Sequence, residues 1–221
     1  APGCDFSVEK RGDASLYSCR IIPERGSWVE METSRRDQLG CRLDRSSKMP
    51  ATLLLKALSE DYASDEAILK LFYATEEIKF TEGTAAARLR DRISAERIAV
   101  DDDEMTIVGA GEVITDDKAR QLAEAGVESI EVLPENPDPL ILETLDDDDS
   151  SDHRSAVKEL YSRLRPGTPF NFDKARQTLW DKFYDPDRYQ LGKVGRFRMN
   201  RKFGDDVPED HQTLRYQDIV N

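Results

Sequence analysis

The sequence predicts an α+β fold, a mixed body of antiparallel hairpins and helices that carries a small α/β insertion module. Alternating apolar and polar residues indicate paired strands in roughly the first 45 residues. Apolar stripes at helical spacing follow at 51–73 and return at 155–183. Between them the chain has short apolar runs among many acids. We therefore expect a discontinuous main domain over 1–74 and 146–204, an acidic insertion over 75–145, and a truncated C-terminal tail over 205–221.

Two hairpins are predicted near the start of the chain. Residues 6–8 pair with 16–22 across a Lys-Arg-Gly-Asp turn, and residues 27–31 pair with 39–43 across a longer polar turn. Both pairings join neighbours in sequence, so we expect antiparallel strands.

Trp28 occupies an unusual place in the second hairpin. Side chains alternate between the two faces of a strand, so Trp28 would share the polar face with Glu30 and Glu32. Two interpretations follow. Another part of the domain covers the tryptophan, or the indole is left free to contact a ligand or partner.

Helices are predicted from apolar spacing and from end signals. Pro50 suits the first turn of a helix, and Ser64 is a suitable N-cap. The predicted helices cover 51–58, 65–73, 155–164 and 173–183. Residues 189–203 then interleave aromatic side chains with arginines, a pattern compatible with contacts to nucleic-acid backbone and bases.

The insertion is predicted to form a small βαβ-like unit. Its helices begin at Thr84 and, after a Thr115 cap, at 116–125. Its strands are predicted at 105–108, 112–114 and 127–133. The four aspartates at 146–149 are expected to form a solvated linker, because consecutive carboxylates on a flexible segment do not preorganise a magnesium site.

Composition excludes several classes of function. The chain is 38% hydrophobic and 35% charged, and it has no apolar run of about 18 residues that would span a membrane. Three cysteines at wide spacing suit reduced thiols, and two histidines are too few for a structural zinc site or a Ser-His or Cys-His hydrolase. The start of the chain does not resemble a secretory signal. We expect a cytoplasmic protein without catalytic or metal-binding residues in this segment.

The charge distribution is uneven. Residues 154–203 contain 13 Lys or Arg against 5 Asp or Glu, a net of +8 in a chain whose net charge is −13. Such asymmetry is typical of one polyanion-facing surface on an acidic body. The alternative is a basic helical region that is solvated or paired with the protein's own acids.

Seven separated motifs resemble the lobe region of the bacterial DNA-directed RNA polymerase β subunit. They occur in the family's order, from residue 1 to about 203. The motifs are Ala1-Pro-Gly, Tyr17 to Trp28, Arg42-Leu-Asp-Arg45, Lys48 to Leu58, Glu143-Thr-Leu, Tyr161 to Gly167, and Asp187 to Arg196 with Asn200-Arg.

The resemblance implies a function within a much larger enzyme, a nucleotidyltransferase, of which this chain is a fragment. The lobe of the family forms one jaw of the cleft that holds downstream duplex DNA and the transcription bubble. The family's catalytic Mg²⁺ is held by the β′ subunit, so no cofactor is expected in this fragment. The implied partners are DNA, the β′, α and ω subunits and a sigma factor, with no membrane.

The resemblance also implies the site residues. Trp28 stacks on an unpaired base of the non-template strand, and Asp44 belongs to a pocket for a flipped guanine. Arg45, Arg165 and Arg188 belong to the same DNA-binding surface. The family often has basic residues where this chain has Ser46 and Ser47, which weakens the case for phosphate contacts at those two positions.

Other interpretations stay open for these residues. Arg165 and Arg188 also suit charge at a helix C-terminus or pairing with acids such as Asp185. Trp28 also suits a free-standing interaction module, in which it anchors a partner protein. Whether the open reading frame continues beyond Asn221 discriminates that module from a polymerase segment. An independent enzyme lacks support, since no nucleophile–base pair or phosphate loop is recognisable.

Overall fold

The computed structural model describes residues 1–80, 85–100 and 105–221, which divide into two units. Unit 1 comprises 1–63 and 143–221, and unit 2 comprises 64–142. The strands are β1 Gly3–Arg11, β2 Ala14–Ile22, β3 Val29–Thr33, β4 Leu39–Leu43, β5 Met49–Pro50, β6 Glu76–Lys79, β7 Ile98–Val100, β8 Met105–Val108 and β9 Ser129–Val132. The helices are α1 Ala51–Leu58, α2 Asp65–Phe72, α3 Ala85–Leu89, α4 Asp116–Glu124, α5 Leu140–Asp146, α6 His153–Leu164, α7 Phe172–Phe183, α8 Lys193–Phe203 and α9 Tyr216–Val220, with a 3₁₀ turn at Glu60–Tyr62.

Unit 1 is built on a five-stranded antiparallel meander in the order β1-β2-β3-β4-β5. Both predicted hairpins are confirmed, and the α+β class is confirmed with them. Val29 lies opposite Leu43 and Ile21, and all three are buried, so this face of the sheet lies against the core. Glu30 and Arg42 pair on the opposite face.

Two helices of unit 1 pack against the sheet, α1 against β4 and β5 and α8 against β1. α1 begins directly after Pro50, as predicted, and packs against α6. Leu53, Leu54 and Leu55 of α1 are buried. Asp152 accepts a hydrogen bond from the Ser155 amide and caps α6, which satisfies a backbone donor at the helix start.

The prediction of a solvated acidic run at 146–149 is wrong for Asp148, although Asp146, Asp147 and Asp149 are exposed. The Asp148 carboxylate lies 3.2 Å from the Lys56 amino group, and both side chains are at most 1% exposed. Asp148 also accepts hydrogen bonds from Thr52 and from both the amide and the hydroxyl of Ser150. A buried charge needs such a partner set, because desolvation of an unpaired ion is costly.

The last residues, which the sequence predicts to be a truncated tail, are folded in the structure. They form α9, in which Ile219 and Asp218 are buried. The Arg196 guanidinium forms an ion pair with Asp218, with 2.9 Å between Arg196 Nη1 and Asp218 Oδ1. Both side chains are at most 1% exposed. Arg196 also donates to the carbonyls of His211 and Thr213. The segment after residue 204 is therefore an integral part of unit 1.

Unit 2 contains two separate two-stranded antiparallel sheets, β6-β9 and β7-β8. The predicted βαβ-like connectivity is wrong, because both pairings are antiparallel. The predicted strand at 112–114 is reduced to one bridge between Val113 and Ile93. Thr115 caps α4, as predicted. The predicted helix start at Thr84 lies outside the described residues.

The core of unit 2 is apolar. It is formed by Ile78, Leu89, Ile107, Val108, Ile114, Ala119, Leu122, Ile130 and Val132. Throughout the described part of the chain, no helix is long and apolar enough to cross a membrane.

Candidate nucleic-acid interface

Trp28 lies in the segment that leads into β3, because the strand begins only at Val29. The predicted placement of Trp28 within a strand is therefore wrong. Its side chain is nevertheless 43% exposed, so no part of the described chain covers it fully. The flanking residues Ser27 and Val29 are both buried, which fixes the chain on either side of the exposed indole.

Asp44 fixes the backbone of Trp28 from the far end of the hairpin. The Asp44 amide donates to the Trp28 carbonyl at 3.0 Å, and the Trp28 amide donates to Asp44 Oδ1 at 2.9 Å. Asp44 has φ of 52°, a left-handed conformation that aspartate adopts more readily than most non-glycine residues. These two hydrogen bonds hold the position from which the indole projects.

Lys182 of α7 neutralises Asp44. Its amino group donates to Asp44 Oδ2 at 2.9 Å. Burial acts to raise the pKa of Asp44, but hydrogen bonds from Lys182 and the Trp28 amide outweigh it and hold that pKa below its usual range. The carboxylate is therefore ionised at neutral pH. An ionised carboxylate only accepts hydrogen bonds, so a ligand that contacts Asp44 must present a donor.

A backbone bridge brings the chain around Arg188 beside Gly26, two residues before Trp28. Arg25 and Gln190 exchange two backbone hydrogen bonds, of 3.0 and 2.7 Å. Gly26 follows with φ of 123°, where a Cβ would lie 2.8 Å from the Tyr189 ring and 3.1 Å from the Arg188 carbonyl oxygen. Glycine is the residue that permits this approach, since it has no Cβ.

These contacts create an open cleft of about 480 Å³ in unit 1. Four of the five predicted site residues line it. Trp28 is not a lining residue, but its backbone is hydrogen-bonded to the lining residue Asp44. The charged side chains of the lining are Asp44, Arg45, Arg163, Arg165, Asp181, Lys182 and Arg188. Five are basic and two acidic, so the cleft has a net charge of about +3 although the whole chain is acidic.

The three predicted arginines differ in their freedom to bind a ligand. Arg45 and Arg165 are exposed and form no ion pair with any residue that the structure describes. Arg165 is the C-cap residue of α6, in line with the alternative interpretation of its charge. Arg188 pairs with Asp181 and Asp185 at 3.4 and 3.3 Å, yet its side chain stays 67% exposed. The predicted pairing with Asp185 is thus observed for Arg188.

The basic segment 154–203 does not form one continuous surface. Arg196 is fully buried, while Arg198 and Lys202 donate to the carbonyls of Pro2 and Cys4. Tyr189 is buried as well, so part of the aromatic–arginine pattern serves the core. Of the basic residues in this segment, the cleft is lined only by Arg163, Arg165, Lys182 and Arg188, which lie in or after the last turns of α6 and α7.

Lys182 and Arg163 are cleft residues that sequence reasoning did not single out. Arg163 is held by Glu159 at 2.7 Å, one helical turn earlier. Lys182 is separated from Asp44 by 138 positions, so no local pattern identifies the pair. No group of three or more potential metal ligands occurs among residues 1–80, 85–100 and 105–221.

Comparison with known proteins identifies the family. Residues 133–221 match the sequence profile described as RNA polymerase Rpb2, domain 2. The complete chain aligns with proteins named DNA-directed RNA polymerase subunit beta, at 42% identity in Rhodopirellula baltica, 34% in Methylacidiphilum infernorum and 33% in Chlamydia pneumoniae. It spans 18% of the length of each of these relatives. The chain belongs to the bacterial RNA polymerase β-subunit family and corresponds to a segment of such subunits.

Proposed function

We propose that this chain is the lobe of an RNA polymerase β subunit, and that its cleft contacts the non-template strand and downstream DNA. The observation that supports this most is the juxtaposition of an exposed Trp28 with a cleft of net positive charge. Single-stranded nucleic acid is held by this combination, in which an aromatic stacks on a base while cations attract the phosphates. The flanking Arg45 and Arg165 supply cations that no described acid neutralises.

Trp28 is the proposed stacking platform. Stacking of one base on an aromatic side chain contributes about 1–3 kcal/mol and does not require a particular sequence. Such a contact opposes closure of the melted DNA without restricting the promoter. The stabilisation from stacking is largest when the orientation of the indole is already fixed, because a freely rotating indole would lose rotamer entropy on binding.

Asp44 has two proposed roles in this surface. It fixes the Trp28 backbone, and its ionised carboxylate accepts from the donor-rich Watson–Crick edge of a flipped guanine. Lys182 lowers the repulsion between this carboxylate and DNA, because it compensates the negative charge directly. The exposed Arg45 and Arg188 contribute salt-dependent attraction to phosphates.

The proposed context is the complete polymerase in the bacterial cytoplasm, with other subunits and a sigma factor as partners. Nucleotide addition, with its Mg²⁺, is assigned to another subunit, and no residue of this chain is proposed to be catalytic. Unit 2 contains 19 Asp or Glu against 8 Lys or Arg, a net of −11. This charge repels DNA, so we propose that unit 2 is an outward-facing module or a docking surface for protein factors.

The test uses complete polymerase whose β subunit carries Trp28→Ala. Open complexes are formed at several promoters, and their dissociation is followed after addition of a competitor. We expect lifetimes shorter by about 5- to 150-fold, the equivalent of about 1–3 kcal/mol.

Trp180→Ala is the matched control. Trp180 is the second tryptophan, 49% exposed on α7, and it lines a different pocket. Its replacement should leave the lifetimes unchanged. Lifetimes that are equal for unaltered and Trp28→Ala enzymes at every promoter would contradict the proposed role.

The interaction-module alternative shares the exposed Trp28 but has less support. Alignment along the complete chain with β subunits favours the polymerase interpretation. If Trp28 were a protein anchor, its replacement would weaken binding of a protein partner and leave open complexes unaffected.

A further inference from the structure

Cys4 and Cys19 lie side by side on neighbouring strands of unit 1, and neither lines the cleft. Their sulfur atoms are 3.0 Å apart. In the register of β1 and β2, Cys4 is opposite Ile21 and Cys19 is opposite Phe6. The two cysteines are thus diagonal neighbours on one face of the sheet, a position from which side chains of adjacent strands meet.

The two thiols differ in exposure. Cys4 is 3% exposed and Cys19 is half-buried, so a reagent from solvent reaches Cys19 first. A hydrogen bond from Cys4 lowers the pKa of Cys19, and the Lys202 charge adds to this effect, while burial opposes it. Lys202 is held in place, since its amino group donates to the Cys4 carbonyl at 2.7 Å and lies 4.5 Å from the Phe6 ring centroid.

The third cysteine provides an internal comparison. Cys41 belongs to β4 and is fully buried. Burial raises the pKa of Cys41 to about 12, so its thiol stays protonated and unreactive at neutral pH. The chain therefore contains one close thiol pair with an accessible member, and one isolated inert thiol.

We propose that Cys4 and Cys19 form an oxidation site, a dithiol that small organic disulfides convert into an intramolecular disulfide. The Cys19 thiolate attacks one sulfur of the reagent, which breaks the reagent's S–S bond and releases one thiol. The pKa of the Cys4 thiol is raised in the reduced chain by its hydrogen bond with Cys19 and by burial. Cys4 therefore loses its proton as it attacks Cys19 Sγ, forms the Cys4–Cys19 bond and expels the second thiol, which takes up that proton. The two protein thiols lose two electrons and two protons, which the two released thiols carry.

The test is a thiol count on the unaltered chain after incubation with oxidised glutathione. The reaction is stopped with acid, and free thiols are titrated in denaturant. We expect three thiols to fall to one, with no bound glutathione, and proteolytic mapping to show Cys4 joined to Cys19. This measurement uses the unaltered chain, so its result does not depend on how a substitution affects folding.

Variants assign the order of attack. The Cys41→Ser variant starts with two free thiols and should lose both on oxidation. The Cys19→Ser variant also starts with two free thiols and should keep both. Cys4→Ser should accumulate one glutathione on Cys19, because the resolving thiol is gone. The proposal is overturned if all three thiols persist under conditions that oxidise a small dithiol peptide, or if the disulfide that forms includes Cys41.

Discussion

The two units of the chain differ in whether they bury ion pairs. In unit 1, Lys56–Asp148 and Arg196–Asp218 are ion pairs with side chains at most 1% exposed, and each joins segments distant in sequence. In unit 2, the buried cluster is apolar, and ion pairs such as Arg92–Glu76 and Arg88–Glu76 involve an exposed glutamate. Unit 2 has a net charge of −11, which leaves −2 for unit 1.

This difference separates the roles of charge. A buried pair contributes little net stability but penalises any arrangement that separates its members, so it specifies which segments meet. Exposed ion pairs contribute about 0–1 kcal/mol each to the free energy of unfolding, and they do little to determine which segments meet. Unit 1 must join residues 1–63 to 143–221 around a long insertion. Lys56–Asp148 connects these two segments, whereas Arg196–Asp218 connects α8 to α9 within the second segment.

The largest effect is expected for Lys56→Met, which leaves the Asp148 carboxylate buried without its cation. The free energy of unfolding of unit 1 should fall by about 3–5 kcal/mol. Denaturant titration measures this change. The double variant Lys56→Met/Asp148→Leu should recover part of the loss because it removes both charges. A loss below about 1 kcal/mol in the single variant would show that the pair does not constrain the fold.

Leu122→Ala probes the apolar core of unit 2. Leu122 is fully buried in α4, so its truncation removes apolar contacts and opens a cavity. We expect unit 2 to lose about 2–5 kcal/mol. Hydrogen exchange of backbone amides, read separately for the two units, checks where the loss occurs. Equal loss of protection throughout unit 1 would contradict the division into two units.

Arg165→Ala tests the charge of the cleft in complete polymerase. Removal of one phosphate contact should reduce the slope of log affinity for DNA against log salt by about 0.7–0.9. Arg120→Ala in unit 2 is the control, since Arg120 is exposed and paired only with Asp117 among the described residues. If both variants gave the same slope as unaltered enzyme, Arg165 would not contact phosphate.

The smallest effect is expected from pH, acting through Asp44. The pKa of Asp44 is lowered in the folded chain. The stability that the ionised Asp44 carboxylate contributes is therefore complete above the ordinary aspartate pKa of about 3.9. It is lost as the pH falls through the lower pKa of the folded chain. Trp28 fluorescence in a Trp180→Phe background should therefore be constant from pH 8 to about 5 and change only below about pH 4. Asp44→Asn should shift the fluorescence at every pH. A transition near neutral pH would show that another group controls Trp28.

Local elements were predictable from sequence because their signals are local. The two hairpins, the helix after Pro50 and the caps at Ser64 and Thr115 follow from short-range alternation, spacing and side-chain hydrogen bonding. The fold class follows from their sum. Antiparallel pairing in unit 2 was not predictable, since β6 is short and its partner β9 lies about 50 residues later.

The candidate site was only partly predictable. Resemblance selected Trp28, Asp44 and the three arginines, but spacing did not show that Asp44 binds the Trp28 amide or that Lys182 neutralises Asp44. Likewise, the sequence predicts that Asp148 is solvated like its three neighbouring aspartates, because it does not show that Lys56 lies beside Asp148. Contacts of this kind depend on tertiary structure, which periodicity does not encode.

The most direct test of the proposed cleft places 2-aminopurine, a fluorescent base quenched by stacking, at successive non-template positions of the open complex. With unaltered polymerase, one unpaired position should be quenched by Trp28. That position should become brighter in the Trp28→Ala enzyme and stay quenched in the Trp180→Ala enzyme. Identical fluorescence profiles for all three enzymes would contradict the central claim that Trp28 is a stacking platform for the non-template strand.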